Sequence, residues 1–204
     1  MHSDKILGAL LKFCLVILFL KFVIFGAWLK SPTHKGPGYS ILKPVGWEVI
    51  ADATGVPPIF AANEKPNVVM FARPEEISPA GQRFPEGKSL PAGTPVPEAT
   101  IAVLVVKLAN PTWMEDEFPA LLDALNKAGY HVFDHGQIKV DNEIFEWVLY
   151  NDPTGSLVNL EFYHVNELNK LFKLQYQASP DAFKTYRPIF ESTKDTFKFS
   201  QRLW

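Results

Sequence analysis

The residues best placed to do chemistry in this 204-residue chain are few. His131 and His135, with Asp134 between them, form the one histidine pair with a spacing worth testing as a metal site. On a strand, residues four apart lie about 13 Å apart, so the two rings cannot share one ion unless the strand breaks at Asp134. Glu143 with Glu146, and the run Glu115-Asp116-Glu117, offer carboxylate pairs for acid–base work. The run precedes an apolar helical pattern, where acids favour the positive end of the helix dipole, and that explains it without catalysis. Gly36-Pro37-Gly38 is not a dinucleotide fingerprint, because the proline removes a backbone donor and no strand precedes it. There is no phosphate-binding Walker loop and no G-x-S-x-G nucleophile turn, and Asn110-Pro111-Thr112 fails as a glycosylation acceptor. Cys14 is the single cysteine, so neither an intrachain disulfide nor a cysteine-based metal centre can form. The expectation is a protein with no catalytic residues, no cofactor and no metal.

Large aromatic rings give a better lead than titratable groups. Trp47, Trp113, Trp147, Tyr163 and Trp204 are many for one domain. Most must be core, but Trp204 ends a polar tail, and exposed Trp and Tyr mark interfaces. Tyr163 lies in an alternating segment with Asn159 and Glu161, on a polar face that is either wetted or a docking surface.

The most distinctive element is residues 6–29, ILGALLKFCLVILFLKFVIFGAWL, an apolar block of the length that crosses a bilayer. It reads as a single transmembrane anchor. Lys21 sits in its middle and costs roughly 2.5–3.5 kcal/mol, whereas the Leu, Ile, Phe and Val residues from Phe13 to Leu29 return roughly 4–7 kcal/mol. Insertion wins. Lys21 either snorkels to a headgroup or meets a carboxylate or carbonyl on a neighbouring helix. Cleavage as a signal peptide is disfavoured by the block's length and by bulky Trp28 after Gly26-Ala27. Lys21, Trp28, Tyr163 and Trp204 are therefore the candidate membrane or partner contacts.

Net charge is −2, and the anchor region contributes +2, which leaves −4 for the rest. An acidic domain argues against nucleic-acid binding. Residues 30–38, KSPTHKGPG, read as a linker, and residues 39–204 as one globular domain. Lysines flank the block almost evenly, so the sequence encodes membrane sidedness poorly.

Within the domain, Tyr39–Lys43 reads as a strand, closed by the Pro44-Val45-Gly46-Trp47 turn. Ile59–Ala62 and Val68–Arg73 are short strand candidates. A loop rich in Pro and Gly fills 74–98, a length that in compact domains is either functional or unstructured. Ala99–Leu108 is continuously apolar, as in a strand covered on both faces. Met114, Phe118, Leu121, Leu122 and Leu125 recur at helical spacing and Gly129 ends the run. Pro119 should fall in the first turn of that helix, with Asp116 as N-cap, or Thr112 and Glu115 as a capping box. Strands are expected at Tyr130–His135, Gln137–Val140, Glu143–Asn151, Leu157–Val165 and Leu171–Ala178. In the last two, Val158, Leu160 and Phe162 match Phe172, Leu174 and Tyr176 on one face. A hairpin with matching faces must then leave an odd number of residues, three or five, in the turn around Asn166–Asn169. Ser179-Pro180 opens a final helix carrying Phe183, Tyr186 and Phe190 on one face, and Phe197 and Phe199 close the chain on the core.

This order of elements resembles the PsbP/Mog/DcrB superfamily. The likeness is carried by Tyr39-Ser-Ile-Leu-Lys-Pro-Val-Gly-Trp47, Phe172-Lys-Leu-Gln-Tyr-Gln-Ala178, Ala182-Phe183, Tyr186, Pro188-Ile-Phe190 and Thr196-Phe197-Lys-Phe199. It implies an α+β domain, an α/β/α sandwich with a central antiparallel sheet flanked by helices. Members are mostly non-enzymatic: lumenal photosystem II subunits, a Ran-binding protein and bacterial envelope proteins. No catalytic residues carry over, and the anchor fits the envelope branch. The expected function is a non-catalytic, membrane-anchored accessory or assembly subunit of a larger membrane complex, photosynthetic or respiratory. Its partners would be integral membrane protein subunits and the lipid bilayer. Its location would be a bacterial inner membrane, with the domain extracytoplasmic. The alternative is a free-standing envelope protein that binds a small ligand or lipid.

Overall fold

The computed structural model describes residues 32–50, 56–74 and 97–200. The expected anchor with Lys21 and Trp28, the terminal Trp204 and most of the 74–98 loop lie outside the described residues. Among the described residues no helix is long and apolar enough to cross a membrane.

Among the described residues, ten strands and two helices follow in order. They are β1 (Thr33–Gly36), β2 (Tyr39–Leu42), β3 (Glu48–Ile50), β4 (Asn67–Pro74), β5 (Pro97–Lys107), α1 (Met114–Lys127), β6 (His131–Val140), β7 (Glu143–Asn151), β8 (Val158–Val165), β9 (Lys170–Ala178), α2 (Pro180–Lys194) and β10 (Lys198–Phe199). Seven strands form one sheet in the order β3-β4-β5-β9-β8-β7-β6, and β1-β2-β10 form a second. Every pairing is antiparallel. The domain is α+β.

β5 lies inside the large sheet and is buried along most of its length, as its unbroken apolar run predicts. Its odd-numbered residues, Ile101, Val103 and Val105, join a core with Phe183 and Phe190 of α2. Its even-numbered Leu104 and Val106 join Phe118 and Leu121 of α1 in a second core. Each face of the sheet thus carries one helix, because a strand apolar on both sides must be covered on both.

The β8–β9 register is the one the alternation demands. Val158 opposes Ala178 and Val165 opposes Leu171, so the numbers of each pair sum to an even value and the odd stretch 166–170 closes the hairpin. Leu160, Phe162, Phe172, Leu174 and Tyr176 share the α2-side core. Gly129, at φ +83°, ends α1 as expected. Its N–H donates to Asn126 O and that of Tyr130 to Leu125 O, the paired bonds of a Schellman cap. Ser179 caps α2, accepting from Ala182 N, with Pro180 in the first position.

Four expectations are corrected. Thr33–Gly36, placed in a linker, form strand β1, because β2 offers an edge that supplies their hydrogen bonds; the domain's compact unit begins at Thr33 and not Tyr39. Ile59–Ala62 are not a strand: Phe60 N bonds Pro57 O in a turn, and only Ala62 bridges to Leu108. Helix α1 starts at Met114, with Trp113 as an N-cap that makes no side-chain bond, so Pro119 lies beyond the first turn. Tyr130–His135 and Gln137–Val140 are not two strands but one, β6, with a register shift between Val132 and Asp134.

The small sheet lies on the α2 side. Tyr39 and Ile41 of β2 enter that core with Phe197. β2 is the middle strand, held by β1 on one side and by β10 on the other, where Lys198 opposes Ser40 and Phe199 opposes Tyr39.

Candidate functional site: a buried polar ladder and an exposed corner

On the α1 side of the sheet, β8 and β9 present Asn159, Glu161 and Tyr163 against Gln177, Gln175 and Lys173, paired in that order. This is the face the sequence left open as wetted or docking. It is neither. Tyr163 is 1% exposed and Glu161 2%, and Asn159 and Lys173 are also buried. Tyr163, expected as a partner contact, is corrected to a core residue: it packs with Leu104, Phe118, Leu121 and Leu171 beneath α1, and the Phe60 ring stands 6.4 Å away.

Most of the groups on this face satisfy one another, though Gln175 Oε1 is buried without a partner among the described residues. Lys173 Nζ lies 2.9 Å from Glu161 Oε1, and the Tyr163 hydroxyl donates to Glu161 Oε2. Gln177 Nε2 and Gln175 Nε2 both donate to Asn159 Oδ1, at 2.9 and 3.4 Å. Burial pushes the Tyr163 and Tyr150 hydroxyls well above the ordinary range, and the neighbouring Glu161 carboxylate adds to the rise. Both phenols stay protonated and serve as donors. Such a cluster holds strands in register; its charges are spent on each other. Removing two charges from water costs several kcal/mol per ion, so the pair is no sign of extra stability.

The remaining sequence candidates separate. The His135 ring meets Phe118 of α1 at 6.1 Å, whereas His131 packs edge-on against Phe133 at 4.7 Å. Among the described residues no group of three or more His, Cys, Asp or Glu side chains is arranged to hold a metal. Glu146 accepts from Gln137 Nε2 at 2.7 Å and is buried, while Glu143 is exposed. Glu115, Asp116 and Glu117 occupy the first turn of α1. Trp47 is buried against Tyr186, with the rings edge to face at 6.0 Å.

Trp113 behaves differently from the other described tryptophans: it is 72% exposed. Its place is fixed by Asn169, a left-handed residue at φ +58° in the β8–β9 turn. Asn169 Nδ2 donates to Asn110 O at 2.7 Å and Leu108 O at 3.1 Å, and Asn169 Oδ1 accepts from Thr112 N at 3.1 Å. Leu168, next in that turn, is 50% exposed. The sequence held a signal for Trp113: it falls out of phase with the apolar positions 114, 118, 121, 122 and 125, so it could not join the face that α1 buries.

The chain matches no protein-family model and no curated protein. Solved structures share its fold. Cyanobacterial PsbP (CyanoP) from Synechocystis sp. PCC 6803 is 14% identical with a TM-score of 0.50, over 83% of this chain and 92% of that one. LpqN, described as involved in cell envelope biogenesis of Mycobacterium tuberculosis, is 12% identical with a TM-score of 0.51, over 82% and 87%. The domain shares its α+β fold with these two proteins. At these identities the likeness is one of fold.

Proposed function

We propose that this chain is a non-catalytic, membrane-anchored accessory or assembly subunit of a larger membrane protein complex, with its domain docked on an extracytoplasmic face. The observation that carries the reading is a pairing: an apolar block of bilayer-spanning length at 6–29, followed by a domain whose Lys173–Glu161–Tyr163 cluster is buried and paired with itself. Supporting it are the fold shared with CyanoP and with an envelope-biogenesis protein. In this reading residues 6–29 anchor the chain in a bacterial inner membrane. Lys21 and Trp28 contact lipid or a neighbouring helix, and the complex is photosynthetic or respiratory.

The test is extraction of native membranes in mild detergent, followed by native electrophoresis and mass spectrometry of the band that holds the full-length chain. Co-migration with integral membrane subunits is expected, and Lys21→Leu should weaken it if that ammonium pairs with a neighbouring helix. A chain that is released in the aqueous fraction overturns the reading. A membrane-bound chain that always migrates alone replaces it with a free-standing envelope protein binding a small ligand or lipid.

A further inference from the structure

We propose that the corner built from Trp113 and Leu168 is the domain's docking surface, and that its occupant is a partner protein offering an apolar pocket bordered by Lys or Arg. This deepens the accessory-subunit reading and rests on it. Two chain segments far apart in sequence meet here, the 108–113 connection and the 166–169 turn, joined by the Asn169 side chain. The clip matters because docking orders whatever was loose. A loop already fixed by three side-chain hydrogen bonds has little freedom left to lose. Trp is the residue most suited to such a site, since a single well-packed indole can dominate an interface.

Charge selects the occupant. Glu115 and Asp116 are exposed immediately after Trp113, and Glu167 is exposed immediately before Leu168. The lysines that begin and end the flanking strands, Lys107 and Lys170, oppose each other in register. They have the parity of Val105 and Phe172, so they point to the α2 side of the sheet. The α1-side corner is therefore an apolar tip in an acidic setting. An anionic bilayer surface would repel it, because lipid-binding surfaces attract through Lys and Arg. A second copy of the same corner would bring acid against acid. A protein surface with the opposite charge pattern fits both features.

The experiment uses the full-length chain in native membranes, with Trp113→p-benzoylphenylalanine for photo-cross-linking. In parallel, Trp113→Ala, Leu168→Ser and the Glu115→Lys/Asp116→Lys double variant are compared with the parent for the fraction in the high-mass band. Cross-links should map to a peptide of a co-migrating subunit that carries apolar residues flanked by Lys or Arg. Trp113→Ala should cut the assembled fraction about tenfold, as loss of an interface anchor does. The charge reversal should also cut it, and should flatten its dependence on salt. An adduct to lipid, an adduct to a second copy, or corner variants that assemble like the parent would overturn the proposal while leaving the accessory reading intact. A parent chain that never assembles overturns both. Thermal melts of the variants should match the parent, since both apolar side chains are solvent-facing; a variant that fails to fold is replaced in the comparison by the others.

Discussion

Lys173 and Glu161 face each other diagonally across β9 and β8, 2.9 Å apart, with side chains 7% and 3% exposed. Each is tolerable only because of the other. Lys173→Met strands the Glu161 carboxylate in the core and should cost about 3–5 kcal/mol, the range for breaking a buried pair. Adding Glu161→Leu removes the stranded charge, and the double variant should regain most of that loss. Urea unfolding of the three variants checks this; a double variant less stable than Lys173→Met would refute it.

Stability should fall on the alkaline side. Burial holds the Tyr163 and Tyr150 hydroxyls protonated above their ordinary range, and Glu161 reinforces this. Burial does the same to Tyr39 and Tyr176. Above about pH 10 the unfolded chain sheds phenolic protons that the folded chain keeps, so unfolding is favoured as pH rises. The contribution is fully present below that point. Urea midpoints should hold level to about pH 9.5 and then decline, and tyrosinate absorbance should rise together with loss of structure. Absorbance rising near pH 10 for all the tyrosines while the fold persists would contradict the account.

Asn169 combines a left-handed backbone with three side-chain hydrogen bonds. Asn169→Gly keeps the backbone conformation and loses the bonds. Asn169→Ala loses the bonds and adds left-handed strain of roughly 1–2 kcal/mol. Thermal unfolding should therefore rank parent above Gly above Ala, and an Ala variant equal to Gly would remove the strain argument.

Ser179→Ala should destabilise by about 1 kcal/mol through loss of the α2 cap, and Ser179→Gly by only a few tenths. At 3.4 Å the bond from Ala182 N is long, so the loss in the Ala variant should not exceed about 1 kcal/mol. Circular dichroism melts on the two variants separate these values.

What the sequence made legible was parity. Leu160, Phe162, Phe172 and Leu174 had to share a face, and the odd-length turn between β8 and β9 followed from that alone. Parity does not say what covers a face. Asn159, Glu161 and Lys173 look solvated in the one-dimensional pattern, yet they are buried because they pair across strands and α1 lies over Tyr163. β1 was illegible for a related reason. THKG has no apolar alternation, and it is a strand only because β2 provides the ladder. Pro119 misled in the same direction: the apolar phase set by Met114 and Phe118 decided where α1 begins, and the proline followed. Trp113 carried a readable signal in being out of phase, but its fixing by Asn169, across a separation of some sixty positions, did not.

The middle position of β2 has a consequence for synthesis. One of its two neighbours lies within a few residues, but the other is made much later, since Phe199 must reach Tyr39 before that ladder exists. A nascent chain still missing Phe197 and β10 leaves one flank of β2 open and Tyr39 without the ring that stacks on it at 5.5 Å. The domain therefore cannot close around β2 until β10 has been made. A chain cut short of β10 carries a bare strand and an uncovered aromatic, the kind of lesion that quality-control proteases remove.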